Sequence, residues 1–187
     1  MNSTAKKVKT VHEQWLELPD IVVGEIIAGD LHVSPRPAPR HSRASSILGG
    51  NLTGPFDSIK KGGPGGWIIL DEPELHLDGH ILVPDIAGWR RERMPAIPDE
   101  AFFSLIPDWA CEVLSPGTTV LDRVKKMPLY LNLGLKYFWL VDPIARTLEV
   151  YENDHQVWKL ICSYANDDKV RAIPFDAIEI ELADLWC

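Results

Sequence analysis

Asp108-Trp109-Ala110-Cys111-Glu112-Val113-Leu114-Ser115 is the stretch on which the fold turns. It is short, apolar and closed by Pro116-Gly117, which reads as a buried strand. Side chains two apart in a strand share a face, so Ala110, Glu112 and Leu114 point one way and Cys111, Val113 and Ser115 the other. Glu112 therefore sits where a lone carboxylate is unfavourable unless something pairs with it. A second acid stands in similar company upstream, in Pro84-Asp85-Ile86-Ala87-Gly88-Trp89. Pro84 cannot donate to a sheet ladder, which puts Asp85 at an edge or a bulge.

Downstream, Thr119 to Leu133 reads as a helix. Val120, Val124, Met127 and Leu131 fall on one apolar face, Pro128 kinks it and Gly134 caps it. Tyr137 to Val141 is a continuous apolar run of the kind buried on both faces. Thr147–Glu152 and Val157–Tyr164 form a hairpin across Asn153-Asp154, and Ile178–Leu182 is a further strand. Upstream, Trp67–Leu77 and His80–Arg90 pair across Asp78-Gly79. Val11–Leu18 is a short helix ending at Pro19. Ile21–Ala28 and Leu31–Ser34 form a hairpin across Gly29-Asp30, and a proline-rich connection leads to a helix over His41–Ile59. The fold class is α/β: a mixed β-sheet flanked by helices, with an N-terminal helix and hairpin.

The 187 residues suit one domain spanning 1–187, with 1–9 polar and frayed. A net charge of -8 does not advertise nucleic-acid binding. Such binding must rest on local patches: Lys6, Lys7 and Lys9; Arg36, Arg40 and Arg43; Lys60 and Lys61; Arg90, Arg91 and Arg93. Each patch taken alone reads as solvated surface. Cys111, Cys162 and Cys187 are scattered and odd in number, which argues against a disulfide framework or structural zinc and suits a reducing, cytoplasmic setting. Neither an apolar secretory segment nor a membrane span is visible. The Lys60–Gly66 loop lacks the GK[ST] ending of a phosphate-binding loop.

If the strands carrying Asp85 and Glu112 are neighbours, the two acids converge. Convergent carboxylates repel unless one protonates or a cation lies between them, and hard oxygen donors suit Mg²⁺ or Mn²⁺. Such an ion can polarise a phosphodiester and activate water. Each acid also has a plainer reading: Asp85 as a Pro-Asp turn, Glu112 as an edge-strand acid paired with an arginine.

The ordered set Gly24-Glu25-Ile26-Ile27-Ala28-Gly29-Asp30-Leu31, His41, Val83-Pro84-Asp85-Ile86, Cys111-Glu112-Val113-Leu114-Ser115-Pro116, Asp122-Arg123 with Lys126 and Tyr130, and Gly134 to Pro143 resembles the Uma2 family (DUF820), classed with endonucleases of the PD-(D/E)xK superfamily. The resemblance covers about residues 10–155. It implies a restriction-endonuclease-like core, Asp85 and Glu112 as metal ligands, and the Val113 backbone carbonyl facing the metal. The superfamily lysine two residues after the second acid is Leu114 here; the family relocates it to the next helix, at Lys126. On a helical wheel Lys125 and Lys126 flank the apolar face on opposite sides; the Asp122-Lys126-Tyr130 stripe and the family pattern favour Lys126. Glu25 matches the family's N-terminal acid, as a further ligand or an orienting group. His41 matches a family histidine, as a general acid/base, a metal-shell residue or a cap. The expected function is Mg²⁺- or Mn²⁺-dependent hydrolysis of DNA phosphodiester bonds by a homodimer. The alternatives are a non-catalytic nucleic-acid- or protein-binding module on the same fold, and a hydrolase of small phosphoesters.

Overall fold

A computed structural model describes residues 8–57 and 62–186. Most of the expected frayed start, the Lys60–Lys61 patch and Cys187 lie outside them. The central sheet has six strands in the order β10 (Val157–Ala165), β9 (Thr147–Asp154), β8 (Tyr137–Asp142), β7 (Trp109–Val113), β6 (Ile86–Arg90) and β3 (Trp67–Asp71). Only β7 and β8 run parallel, Glu112 opposite Leu140; the other neighbours are antiparallel. A second sheet has the order β2 (Asp30–Pro35), β1 (Val22–Ile27), β5 (His80–Leu82), β4 (Leu75–Leu77). β11 (Lys169–Val170) and β12 (Ile180–Glu181) pair separately, shorter than the strand expected over Ile178–Leu182.

Strand alternation divides the interior in two. Trp67, Ile69, Trp109, Cys111, Val113, Trp139 and Val141 face one core, closed by α2 (Pro39–Leu52) and the C-terminal Phe175, Leu182 and Leu185. Ile68, Ala87, Trp89, Ala110, Leu114, Phe138 and Leu140 face the other, closed by Ile27, Leu75 and Leu82 of the second sheet and by Tyr130 and Leu135. Glu112 belongs to this second face, as its parity with Ala110 and Leu114 requires.

Prolines rewrote several expected elements. The two long strands over Trp67–Leu77 and His80–Arg90 break at Glu72-Pro73 and Val83-Pro84, and their halves enter different sheets. The Asp78-Gly79 turn forms as expected, both residues at positive φ. The β9–β10 turn falls at His155-Gln156 instead of Asn153-Asp154; Asn153 Oδ1 accepts from Gln156 N. The helix expected to start at His41 starts at Pro39 and ends in a π-helical turn, Thr53–Asp57, around Pro55. α1 (Val11–Trp15) is capped reciprocally by Thr10 and Glu13 and stops short of Leu18.

The helix over Thr119–Leu133 changes most. Leu121–Lys126 is π-helical, with Met127 N–H donating to Asp122 O, before α3 (Met127–Asn132) continues. Pro128 lacks an N–H and its ring crowds the carbonyl four residues back, so the turn widens there. The expected apolar face is overturned: Val120 and Val124 are 72% and 65% exposed, while Asp122, Lys126 and Tyr130 point inward.

Phe175 lies between the rings of Phe56, Trp67, Trp109 and Trp139, at centroid distances of 4.8, 4.8, 4.9 and 5.7 Å. Phe175→Ala is expected to destabilise the chain by about 3–5 kcal/mol in urea unfolding, as a cavity in a closed aromatic cluster requires.

Candidate active site

Five segments bring ionisable side chains to one place. Glu112 comes from β7, an interior strand. Asp85 sits at the bend where Pro84 ends the second sheet and β6 begins. Glu25 comes from β1. Lys126 and Asp122 come from the π-helical turn, whose widened geometry aims both inward. His41 comes from the first turn of α2.

The Lys126 ammonium lies 2.7 Å from Glu112 Oε1, 2.9 Å from Glu25 Oε1 and 3.8 Å from Asp122 Oδ1. It also donates to the Val83 carbonyl at 3.2 Å. Glu25 Oε1 accepts a second bond from Val83 N–H at 2.8 Å, and Glu112 Oε1 one from the Tyr130 hydroxyl at 2.9 Å. Asp85 is held separately. Its Oδ2 accepts from Val113 N–H at 2.6 Å and meets His41 Nε2 at 3.1 Å. His41 Nδ1 is buried without a partner among the described residues. Glu25, His41, Asp85, Glu112, Asp122 and Lys126 all border one cavity of about 340 Å³. Arg36, paired with Glu72 at 3.3 Å, also lines it.

Burial pushes the Glu112 carboxyl well above its ordinary range; Lys126 pulls it back, and Asp122, Asp85 and Glu25 push it further. Asp122 is pushed up to about 6, mainly by burial against the pull of Lys126. Burial works against the Lys126 ammonium, yet Glu112 and Glu25 overcome it and hold the amine firmly charged. For His41 burial also opposes protonation, but the Asp85 hydrogen bond and the charges of Asp85, Asp122 and Glu72 raise its pKa overall.

The structure thus gathers five of the residues singled out in the sequence: Glu25, His41, Asp85, Glu112 and Lys126. Val113 contributes through its backbone. Its side chain is buried in the opposite core, it does not border the cavity, and its backbone amide binds Asp85. His41 is no helix cap, since its ring turns to Asp85. Glu112 is on no edge and has a lysine, not an arginine, beside it. Lys125 faces outward, 3.8 Å from Asp30 Oδ2. Two members were not selected from sequence, Asp122 and Tyr130. They entered the sequence reading only as the four-residue stripe that favoured Lys126, and the apolar face drawn through Val120 and Val124 left both without a role of their own.

Residues 12–183 match the model of the Uma2 family, described as "Putative restriction endonuclease". The chain belongs to the Uma2 family. A matching solved structure is entitled a putative nuclease belonging to DUF820, from Anabaena variabilis ATCC 29413. It is 24% identical, covers 96% of this chain and 98% of its own, and superposes with a TM-score of 0.75. This Uma2 chain therefore has a nuclease-like, restriction-endonuclease-like fold. No protein of curated function matches it. Among the described residues no three His, Cys, Asp or Glu side chains are grouped to hold a metal ion, and no helix is long and apolar enough to cross a membrane.

Two stability tests follow from the buried charges of the Uma2 cleft. Asp122 is ionised in the fold only above about pH 6, against 3.8 as its ordinary value. A raised carboxyl pKa destabilises the fold at high pH, and stability returns as pH falls through 6 toward 4. In metal-free buffer Asp122→Asn is expected to raise stability at pH 8 by on the order of 1–3 kcal/mol, an advantage that vanishes near pH 4; denaturant titrations at both values check it. Lys126→Met leaves buried acids unpaired and is expected to cost about 3–5 kcal/mol, part of which Glu112→Gln restores in the double variant. Additive losses would mean that the two side chains are not coupled.

Proposed function

We propose that this Uma2 protein hydrolyses DNA phosphodiester bonds at the Asp85–Glu112 cleft, using Mg²⁺ or Mn²⁺. The observation that carries this reading is the charge imbalance of the cleft: Glu25, Glu112 and Asp122 surround the Lys126 ammonium, and Asp85 borders the same cavity. Such an excess of hard oxygen donors suits a divalent cation. Two carboxylates are enough for Mg²⁺, which keeps water and substrate phosphate as its other ligands.

Asp85 and Glu112 would hold the ion. The chemistry it supplies when bound is polarisation of a phosphoryl oxygen and acidification of a water. The rest falls to the chain. Val113 N–H and His41 fix the direction of Asp85. Tyr130 and Lys126 fix that of Glu112. An ammonium has three N–H donors, and Glu25, Glu112 and the Val83 carbonyl occupy all of them here. Lys126 therefore acts first as the counter-charge that keeps two glutamates in register. It reaches a substrate oxygen only by giving up an acceptor, and the 3.2 Å bond to Val83 is the longest. His41 borders the cleft with Nε2 on Asp85, and its ring is the group that would give or take a proton there.

Cutting both strands requires two such sites, so a homodimer is part of the proposal. Asp85→Ala and Glu112→Gln are each expected to lower cleavage of supercoiled plasmid in Mg²⁺ by about a hundredfold or more, with unchanged circular dichroism. Wild-type cleavage by either variant would remove the reading. Calorimetry in the absence of DNA separates it from a binding module: no uptake of Mn²⁺ at millimolar concentration would favour the module.

A further inference from the structure

The acidic cleft leaves open how this chain, with a net charge of -8, would hold a polyanion. A second cavity, of about 180 Å³, offers an answer. It is lined by Arg40, Arg43, Arg146, Pro143, Ile144 and Trp186 among others. Among the described residues none of these three guanidinium groups has a carboxylate partner, whereas Arg36, Arg91, Arg93 and Arg123 are each paired with one. Three unpaired cations at one pocket repel each other and favour an anion between them.

Two features strengthen the field there. Arg40 and Arg43 stand in the first turns of α2, which has no acid in its first turn. That is the positive end of the helix dipole, where cations are disfavoured and anions favoured. Arg146 is set on a firm turn: Asp142 Oδ1 accepts from Ile144 N–H and Ala145 N–H, both at 2.8 Å, and the Arg146 carbonyl accepts from Asn166 N–H at 2.8 Å.

The pocket also shares an edge of the fold with the cleft. β7 and β8 are parallel with Val113 opposite Val141, so the chain leaves both strands on the same side of the sheet. Ser115, after β7, borders the cleft; Pro143 and Arg146, after β8, border the arginine pocket. α2 joins the two, with His41 turned to Asp85 and its neighbours Arg40 and Arg43 turned to the pocket.

We infer that Arg40, Arg43 and Arg146 form a binding site for a backbone phosphate of the nucleic acid whose neighbouring phosphodiester lies in the Asp85–Glu112 cleft. The inference rests on the proposed nuclease reading and adds the contact that holds the substrate strand. The site reads charge and not base sequence, so its signature is the salt dependence of binding.

The test is fluorescence anisotropy of a labelled duplex oligonucleotide in EDTA over a series of salt concentrations. For Arg40→Ala/Arg43→Ala/Arg146→Ala, affinity at low salt is expected to fall about tenfold or more. The slope of log K against log salt is expected to shrink by about 1, the loss of one phosphate contact, and by less than that for Arg146→Ala alone. Unchanged slopes in both variants overturn the site, as does a triple variant that loses thermal stability yet keeps its affinity and slope. If the wild-type chain still cuts plasmid in either case, only this site falls and the proposed activity stands. A wild-type chain that binds no oligonucleotide overturns both.

Discussion

One buried ammonium organises this molecule. Lys126 is 2% exposed, and it holds together a strand of the central sheet, a strand of the second sheet and a helical turn through Glu112, Glu25 and Asp122. An isolated charge at such depth would be far less favourable than the same charge in water, and an unpaired carboxylate no better. The groups are tolerable only as a set. The second sheet, the central sheet and the π-helical turn must therefore adopt one mutual placement before any of them is electrostatically satisfied. The fold and the cleft are consequences of the same constraint.

That constraint also explains where the backbone departs from regular structure. The prolines at 73 and 84 end strands of two sheets around the cleft, and Pro84 is followed at once by Asp85. Pro128 widens the turn before α3, and the widened turn aims Asp122 and Lys126 inward together. In each case a missing amide or a crowded carbonyl makes the irregularity favourable locally, and a polar side chain uses the result. The division of charge is equally uneven. The cleft concentrates carboxylates, while arginines without a carboxylate partner among the described residues gather at a separate pocket at the same end of the sheet, so a mildly acidic chain presents a locally basic surface.

The family relationship and the geometry carry different weights. Membership of Uma2 and the likeness to a DUF820 structure establish the nuclease-like fold. What the cleft adds is specific to side chains. It shows a lysine whose three donors are engaged, an aspartate steered by a backbone amide and a histidine, and a histidine nitrogen left over. Those details give Lys126 a defined local role.

The sequence by itself determined the parity of β7, hence that Glu112 shares a face with Ala110 and Leu114, because a two-residue repeat leaves no freedom. It determined the Asp78-Gly79 turn and the α/β class for the same reason, and the β1–β2 hairpin as well, although its turn falls at Ala28-Gly29 and not at the expected Gly29-Asp30. Tertiary structure alone decided which strands share a sheet, since proline breaks look the same whether the chain then stays or crosses over. It alone decided which face of the Lys126 helix is inside. The apolar repeat of Val120 and Val124 argued for one face, and two acids contributed by distant segments, Glu25 and Glu112, drew Lys126 and Tyr130 to the other. Periodicity measures hydrophobic burial, whereas here pairing of buried charges was the stronger term, and the partners of that pairing are invisible from within the helix.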